Sequence, residues 1–379
     1  MKLIMAKRLV ILGAGESGAG AAVLAMKEGY DVFVSDAGPV KEQYRAELDR
    51  LGVRYESGQH SDDLVLQADE VMKSPGIPEK NEMMRKVRAR GIPVISEMEL
   101  AFRHMNGSRI IGITGSNGKT TTTALTYHMC KTGGLDVALV GNIGYSIARQ
   151  VAEDPRPWYV AEISSFQLDD IREFSPHVAV LTNITEDHLD RYDYRFENYI
   201  RSKFRIVSRQ TAADYFIYCE DDPVTMKHLN DQTIISKRLP FTMNREIPQG
   251  GFIRNGMMTI AAGEERMQMS IYDFTLKGKH NQYNTLAAGI AHEIRNPLTS
   301  INILIHSITE SLPSEISHRE DLKVIEEEIH RINESIFLLA TRILRDAVVH
   351  DSATVRVDDQ ITSLYQGSSK RNRSEEHTS

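Results

Sequence analysis

Three groups of residues have the types and spacing for chemistry on phosphates. The first is Thr114-Gly115-Ser116-Asn117-Gly118-Lys119-Thr120. Its glycines let backbone N–H groups approach phosphate oxygens, Lys119 can neutralise β/γ charge, and the Thr120 hydroxyl can ligate Mg²⁺. The general phosphate-loop pattern has glycine five positions before Gly118, where this chain has Ile113. That departure argues against a generic nucleotidase, while the Gly-Lys-Thr core still points to ATP. The second group is Gly13-Ala14-Gly15-Glu16-Ser17-Gly18, with Asp36 further along. Glycines opening a helix hold a pyrophosphate on backbone amides, and the acid meets a ribose or base; a tight strand-to-helix turn would use the same glycines. The third is Glu162, Asp187 and His188. Each alone suits a surface acid or a hydrogen-bonded loop histidine, but together behind a phosphate loop they suit a Mg²⁺ site.

These residues need elements to position them. RLVIL, DVFVSD, ADEVMKSP and IPVIS are strand-like runs separated by helical stretches such as SGAGAAVLAMKEG. The alternation predicts a parallel sheet with crossover helices, a Rossmann-like α/β domain over 1–105. A second α/β series, RIIGITG, DVALVG, WYVAEIS, HVAVLTN and ADYFIYC, predicts a phosphate-loop domain over 106–291. In both series the glycine loops, Glu162 and the Asp187-His188 pair fall just past strands, at the end of a parallel sheet where ligands bind.

Composition sets the outer bounds. At roughly 100–200 residues per domain, 379 residues make two or three domains. Hydrophobic residues are 41% and charged residues 26%, so cores can form. Lys and Arg number 45 against 52 Asp and Glu, a net charge of −7, which argues against a general polyanion binder such as a nucleic-acid protein and leaves room for a local basic site. No apolar run approaches the roughly 18 residues of a membrane span. Two cysteines, Cys130 and Cys219, make no disulfide framework. The expectation is a cytoplasmic protein with no membrane association.

The order GITGSNGKTT, GNIG, EISSFQL, TNITEDHLDRY, YIRSKFRI and GKHNQYNTLAAGIA resembles the Mur ligases of peptidoglycan synthesis. The forms SPGIP, SSFQL and TEDHLDRY most resemble the branch that joins D-glutamate to UDP-N-acetylmuramoyl-L-alanine. The resemblance spans roughly residues 6–290. It implies that the first domain holds the UDP-sugar, with Gly15, Ser17, Asp36, Ser74 and Gly76 near the uridine diphosphate and Asn142, Ser164 and Gln167 also on the substrate side. It implies that Gly115, Asn117, Gly118, Lys119, Thr120 and Thr121 bind ATP and that Asn281 and Asn284 lie beside adenine. It implies that Thr120, Glu162, His188 and a carbamylated Lys203 hold Mg²⁺, with Lys119, His188 and Lys203 catalytic. From the residues alone, Lys203 is a solvated helix lysine. The reaction implied is phosphorylation of the alanyl carboxylate by ATP, followed by attack of the D-glutamate amine.

After Ala291 that resemblance stops. A complete ligase of this kind carries a third domain that binds D-glutamate, and its aspartate-serine-lysine signature does not follow here, so the expectation is impaired amide formation. His292-Glu293-Ile294-Arg295-Asn296-Pro297-Leu298 instead resembles the phosphoacceptor box of sensor histidine kinases, which implies His292 as phosphoacceptor. Ile294, Leu298, Ile301, Ile305, Ile308 and Leu312, then Ile325, Ile329, Ile332, Ile336, Leu339 and Ile343, repeat at alternating threes and fours. Two such helices predict an α-helical hairpin over 292–350 with His292 exposed near its start. Its apolar seam predicts a homodimeric four-helix bundle. Residues 351–379 are polar and without periodicity, which predicts a disordered tail. The two resemblances share LAAGIAHEIRNPL, the junction expected of a chimera of two reading frames; the alternative function is a dimeric signalling module.

Overall fold

The computed structural model describes residues 6–293 apart from 232, 263, 264, 274 and 275. The expected hairpin beyond residue 293, its dimer and the tail lie outside the described residues. The described residues form two compact units, one within 6–117, 138–216 and 224–237 and the other within 118–137, 217–223 and 238–293.

The first unit opens with a five-stranded sheet. Its strands are β1 (Arg8–Leu12), β2 (Asp31–Asp36), β3 (Arg54–Ser57), β4 (Glu70–Lys73) and β5 (Val94–Ile95), in the order β3-β2-β1-β4-β5. All pairs are parallel. Helices α1 (Glu16–Lys27), α2 (Glu42–Leu51), α3 (Asp62–Val65) and α4 (Glu82–Ala89) cross between strands, and α5 (Glu97–Arg103) leaves the sheet after β5. β3 is the strand that sequence reading passed over, because RYES carries two charges and buries none of its residues. Leu9, Ile11, Leu12, Val34 and Val71 in the other strands are wholly buried, and their apolar faces make the core.

The same unit continues with β6 (Arg109–Thr114), β8 (Trp158–Glu162) and β9 (Val178–Leu181). β6 is central, parallel to β8 on one side and β9 on the other. β7 (Val137–Gly141) lies outside β8, and α7 (Ile147–Glu153), α8 (Ser165–Asp169) and α9 (Phe196–Phe204) follow. In the second unit α6 (Lys119–Thr132) is accompanied by β11 (Lys237–Thr242), β12 (Gly250–Arg254), β13 (Met257–Ala262), β14 (Glu265–Ser270) and α11 (Lys279–Glu293). β10 (Tyr215–Cys219) starts in the first unit and ends in the second, and α10 (Pro223–Leu229) follows it. β12 to β14 pair antiparallel, a meander that the sequence reading did not anticipate. α11 packs on α6, β12 and β13, and a Cβ on Gly251 would sit 3.1 Å from Leu286 and 3.0 Å from Ile290, so glycine lets helix and strand approach closely.

α5 carries two buried carboxylates. Glu99 accepts backbone N–H bonds from Arg172 (2.8 Å) and Phe174 (3.0 Å), two further contacts from Glu173, and the Arg103 guanidinium at 2.9 Å. It is wholly buried, so removing it leaves those backbone donors without their acceptor and Arg103 with Glu70 alone. A second knot joins Lys73, Glu79, Arg88 and Asp170: Lys73 meets Asp170 at 2.7 Å, and Arg88 meets Asp170 at 2.5 Å and Glu79 at 3.0 Å. Burial opposes ionisation of Glu79, but hydrogen bonds from Arg88 and Lys73 outweigh it and hold the carboxyl at about 2.

Glu99→Ala is expected to lower unfolding free energy by about 3–5 kcal/mol, measured by urea titration. Glu79 has a depressed folded-state pKa, so its contribution is complete above its ordinary value of 4.5 and is lost as pH falls toward about 2. Glu79→Gln should therefore flatten the acid limb of a melting-temperature profile across that window while leaving its shape near neutrality unchanged.

Candidate phosphate-transfer site

In the first unit the loop after β6 is fixed from below by β9 and the loop that follows it. Ser116 Oγ donates to Thr185 O at 2.9 Å, and Asn117 N donates to Asn183 Oδ1 at 3.0 Å. Thr182 Oγ1 and Asn183 Nδ2 both donate to Asn117 O. Gly115 has φ +149°, and a Cβ there would lie 1.9 Å from Thr182 Oγ1, so glycine is required by backbone and by space. Lys203, 1% exposed, reaches up from α9: its Nζ donates to Gly115 O at 2.6 Å and to Thr114 Oγ1 at 3.3 Å. The solvated-helix reading of Lys203 is therefore replaced. The lysine lies on the inner face of an amphipathic helix whose outer face carries Arg201 and Glu197.

Glu162 ends β8 and is 1% exposed. Its Oε1 accepts from Asn142 Nδ2 at 2.8 Å, and its Oε2 is buried without a hydrogen-bond partner among the described residues. A buried carboxylate oxygen left open at the end of a parallel strand suits a hard cation, so the donor set fits Mg²⁺. His188 stands apart in character. It is half exposed, 3.4 Å from Asp187, and has φ +50°. No group of three or more His, Cys, Asp or Glu side chains is gathered in metal-binding geometry among the described residues. The structure thus places Glu162 and Asn142 together but does not cluster Glu162, Asp187 and His188 as a preformed cage.

The dinucleotide-type turn is also organised by its own side chains. Asp36 accepts from Ala14 N at 2.6 Å and Gly38 N at 2.8 Å, so its carboxylate shapes the glycine loop itself. Gly13 has φ +94°, and a Cβ there would be 2.7 Å from Ser74 Oγ. Ser17 donates to Glu97, which also accepts from Ser146 Oγ at 2.5 Å and Ala148 N at 3.1 Å. Burial pushes the Glu97 carboxyl up against those hydrogen bonds. Gly15 caps α1 with open space beside its Cα. Ser164 and Gln167 form a reciprocal capping box on α8, which uses the polar groups of both.

In the second unit Gly118 caps α6 with φ +80°. A Cβ on Gly118 would lie 2.3 Å from Asn284 Oδ1, which sets Asn284 of α11 against the phosphate-loop end of α6. Lys119, Thr120 and Thr121 form the first turn of α6, where the helix dipole favours an anion. Asn281 lies one turn before Asn284 and donates to Lys277 O at 2.9 Å. Asp221, unremarked in the sequence, accepts from Thr242 Oγ1 (2.6 Å), Met243 N (2.7 Å), Asn244 Nδ2 (2.8 Å) and Tyr283 Oη (2.9 Å), anchoring α11 beside these asparagines.

His292 departs from its expected exposure. It is 2% exposed near the end of α11, its Nδ1 lies 3.3 Å from Glu293 Oε1, and a Cβ on Gly133 would be 3.4 Å from its Nε2. The reason is helical phase: α11 starts at Lys279 and packs along α6, so His292 falls on the inner face of a helix that began thirteen residues earlier rather than at the start of a new one. The boundary expected at residue 292 therefore lies inside a helix.

A parallel sheet with a phosphate loop at its edge, a buried lysine under that loop and a strand-end carboxylate define a nucleotide-dependent ligase class, and comparison with known proteins agrees. Residues 7–96 match the Mur ligase MurD-like N-terminal domain and residues 113–292 the Mur ligase middle domain, while residues 282–336 match the His Kinase A phospho-acceptor domain. The chain belongs to the Mur ligase family, in the branch of the UDP-N-acetylmuramoylalanine–D-glutamate ligases. That enzyme of Christiangramia forsetii is 46% identical over 310 residues, 82% of this chain and 68% of the relative. The Bacteroides fragilis enzyme is 48% identical over 75% of this chain and 64% of the relative, so the chain spans about two thirds of the length of these relatives. A murein ligase structure from Neisseria meningitides shares the fold at 20% identity and a TM-score of 0.52, covering 77% of this chain and 94% of that one. No described helix is long and apolar enough to cross a membrane.

Gly118→Ala is expected to weaken binding of a fluorescent ATP analogue by at least about tenfold, because the added methyl group displaces Asn284 and strains the helix cap. A melting temperature close to the parent's would show that the loss is local.

Proposed function

We propose that this chain uses ATP to activate the alanyl carboxylate of UDP-N-acetylmuramoyl-L-alanine for amide formation with D-glutamate, in the cytoplasm. The observation that carries the reading is Lys203, buried under the phosphate loop with its Nζ 2.6 Å from Gly115 O, beside a family match that runs through both domains. A carboxylate oxygen attacks the γ-phosphorus of ATP, the bond to the β-bridging oxygen breaks, and ADP leaves with its electron pair. The amine of D-glutamate then attacks the acyl carbon, phosphate leaves, and the nitrogen loses a proton. Neither step needs a protein nucleophile. Catalysis is positioning and charge neutralisation, with Lys119 on the transferring phosphoryl group, the first-turn amides of α6 on phosphate oxygens, and Asn281 and Asn284 on the adenine side.

Mg²⁺, when bound, would neutralise phosphate charge, and Thr120, Glu162 and His188 would hold it. Lys203 would join them as a carbamate: its neutral amine adds to CO₂, forms an N–C bond and loses a proton, which turns a buried cation into an oxygen ligand. Asn142 would orient Glu162, to which it already donates. Gly15, Ser17, Asp36, Ser74 and Gly76 would surround the uridine diphosphate, with Ser164 and Gln167 acting through the α8 cap they build.

Acyl-phosphate formation is read by trapping with hydroxylamine. With ATP, Mg²⁺ and UDP-N-acetylmuramoyl-L-alanine the full chain should give the hydroxamate, and Lys119→Ala and Lys203→Ala should each reduce it by at least about a hundredfold. No hydroxamate from the parent chain, together with no binding of either substrate by calorimetry, would overturn the reading.

A further inference from the structure

The segment from His188 to Tyr194 is held in an unusual backbone. His188, Asp193 and Tyr194 all have positive φ, at +50°, +55° and +56°, and none is glycine. Such conformations persist only where neighbouring contacts over-determine them, and they cluster at functional sites. Tyr192 ties this segment to Asp169 and Ser202, and Arg191 ties it to the turn after β4. Its Nη2 donates to Pro75 O at 3.0 Å and Ile77 O at 3.3 Å, and its Nη1 to Gly76 O at 3.4 Å. One planar guanidinium thus gathers three successive carbonyls of the turn after β4, the turn whose Ser74 rests on Gly13 of the glycine loop. The other side of Arg191 is stacked, with its Cζ 4.3 Å from the Phe166 ring centroid, and the Phe166 ring lies 5.2 Å from the His188 imidazole.

We propose that Arg191 is a positioning residue that locks the Ser74–Ile77 turn to the loop carrying His188, so that the UDP-sugar site and the His188 loop are set as one piece. The inference rests on the ligase reading above and adds a residue to it. A lysine cannot replace this arginine: an ammonium reaches one or two carbonyls as a point charge and does not stack flat on Phe166, whereas the guanidinium does both at once. Arg191 bonds the Ser74–Ile77 turn directly and reaches His188 only through the Phe166 ring, so its loss falls first on the UDP-sugar side. Arg191 also lines a cleft of 540 Å³ with Glu79, Asp190 and Asn198, which gives small solutes a route to its place.

The test is calorimetry on the full chain with UDP-N-acetylmuramoyl-L-alanine and, separately, Mg²⁺·ATP, for the parent, Arg191→Ala and Arg191→Lys, with melting temperatures alongside. Arg191→Ala is expected to bind the UDP-sugar at least about tenfold more weakly, from three lost carbonyl bonds, and ATP within about twofold. Arg191→Lys should recover little, while millimolar guanidinium should recover part of the affinity of Arg191→Ala and none for the parent. Equal weakening of both ligands, or recovery by lysine as good as by guanidinium, overturns the inference, as does unchanged UDP-sugar binding in Arg191→Ala. A parent chain that binds neither ligand overturns the ligase reading and this inference with it.

Discussion

The first unit depends on α5, a helix of seven residues with two buried carboxylates facing opposite ways. Glu97 takes hydroxyl bonds from Ser17 at the head of α1 and from Ser146 before α7, and Glu99 takes the backbone of residues 172–174. Arg103, on the same helix, continues to Glu70 of β4 at 3.0 Å. Buried carboxylates are costly unless saturated with donors, and here each is, so the helix fixes the spacing of everything it touches. A glycine loop and a phosphate loop on separate sheets can cooperate only if such a spacer is rigid.

The phosphate loop uses the same device at shorter range. Its backbone is held from beneath by Thr182 and Asn183 and its Ser116 side chain by Thr185, its glycine is forced by a 1.9 Å approach, and Lys203 closes it from α9. These contacts set the shape of the loop before a ligand arrives. Preorganisation of this kind spends little free energy at the moment of reaction.

α11 shows how one stretch of sequence can satisfy two family patterns. Residues 282–292 belong to the match with the Mur ligase middle domain and to the match with the phospho-acceptor domain. Leu286 and Ile290 pack on β12, Asn284 abuts Gly118, and His292 sits against Gly133. Within the described residues the helix packs on α6, β12 and β13, and the His292 imidazole is 2% exposed.

What the sequence determined by itself was local. Apolar β-branched runs ending in glycine loops specify parallel strands followed by helices, and they put the two glycine loops, Lys119, Glu162 and His188 just past strands, because strand direction and ligand edge are coupled in such sheets. β3 escaped, since a short polar strand borrows its stability from its neighbours instead of from its own pattern, and the β12–β14 meander lacks the strand-then-helix alternation that marked the other strands. The tertiary structure alone decided which partners the polar groups have. Asp36, Ser17, Ser164 and Gln167 bond the backbone and Glu97, Lys203 turns inward beneath the loop, His292 is buried by the phase of its helix, and Arg191 reaches a turn more than a hundred residues away in the chain. Spacing along a chain fixes which residues can share a face, but hydrogen bonds between distant segments depend on how the elements pack, and only packing assigns each donor its acceptor.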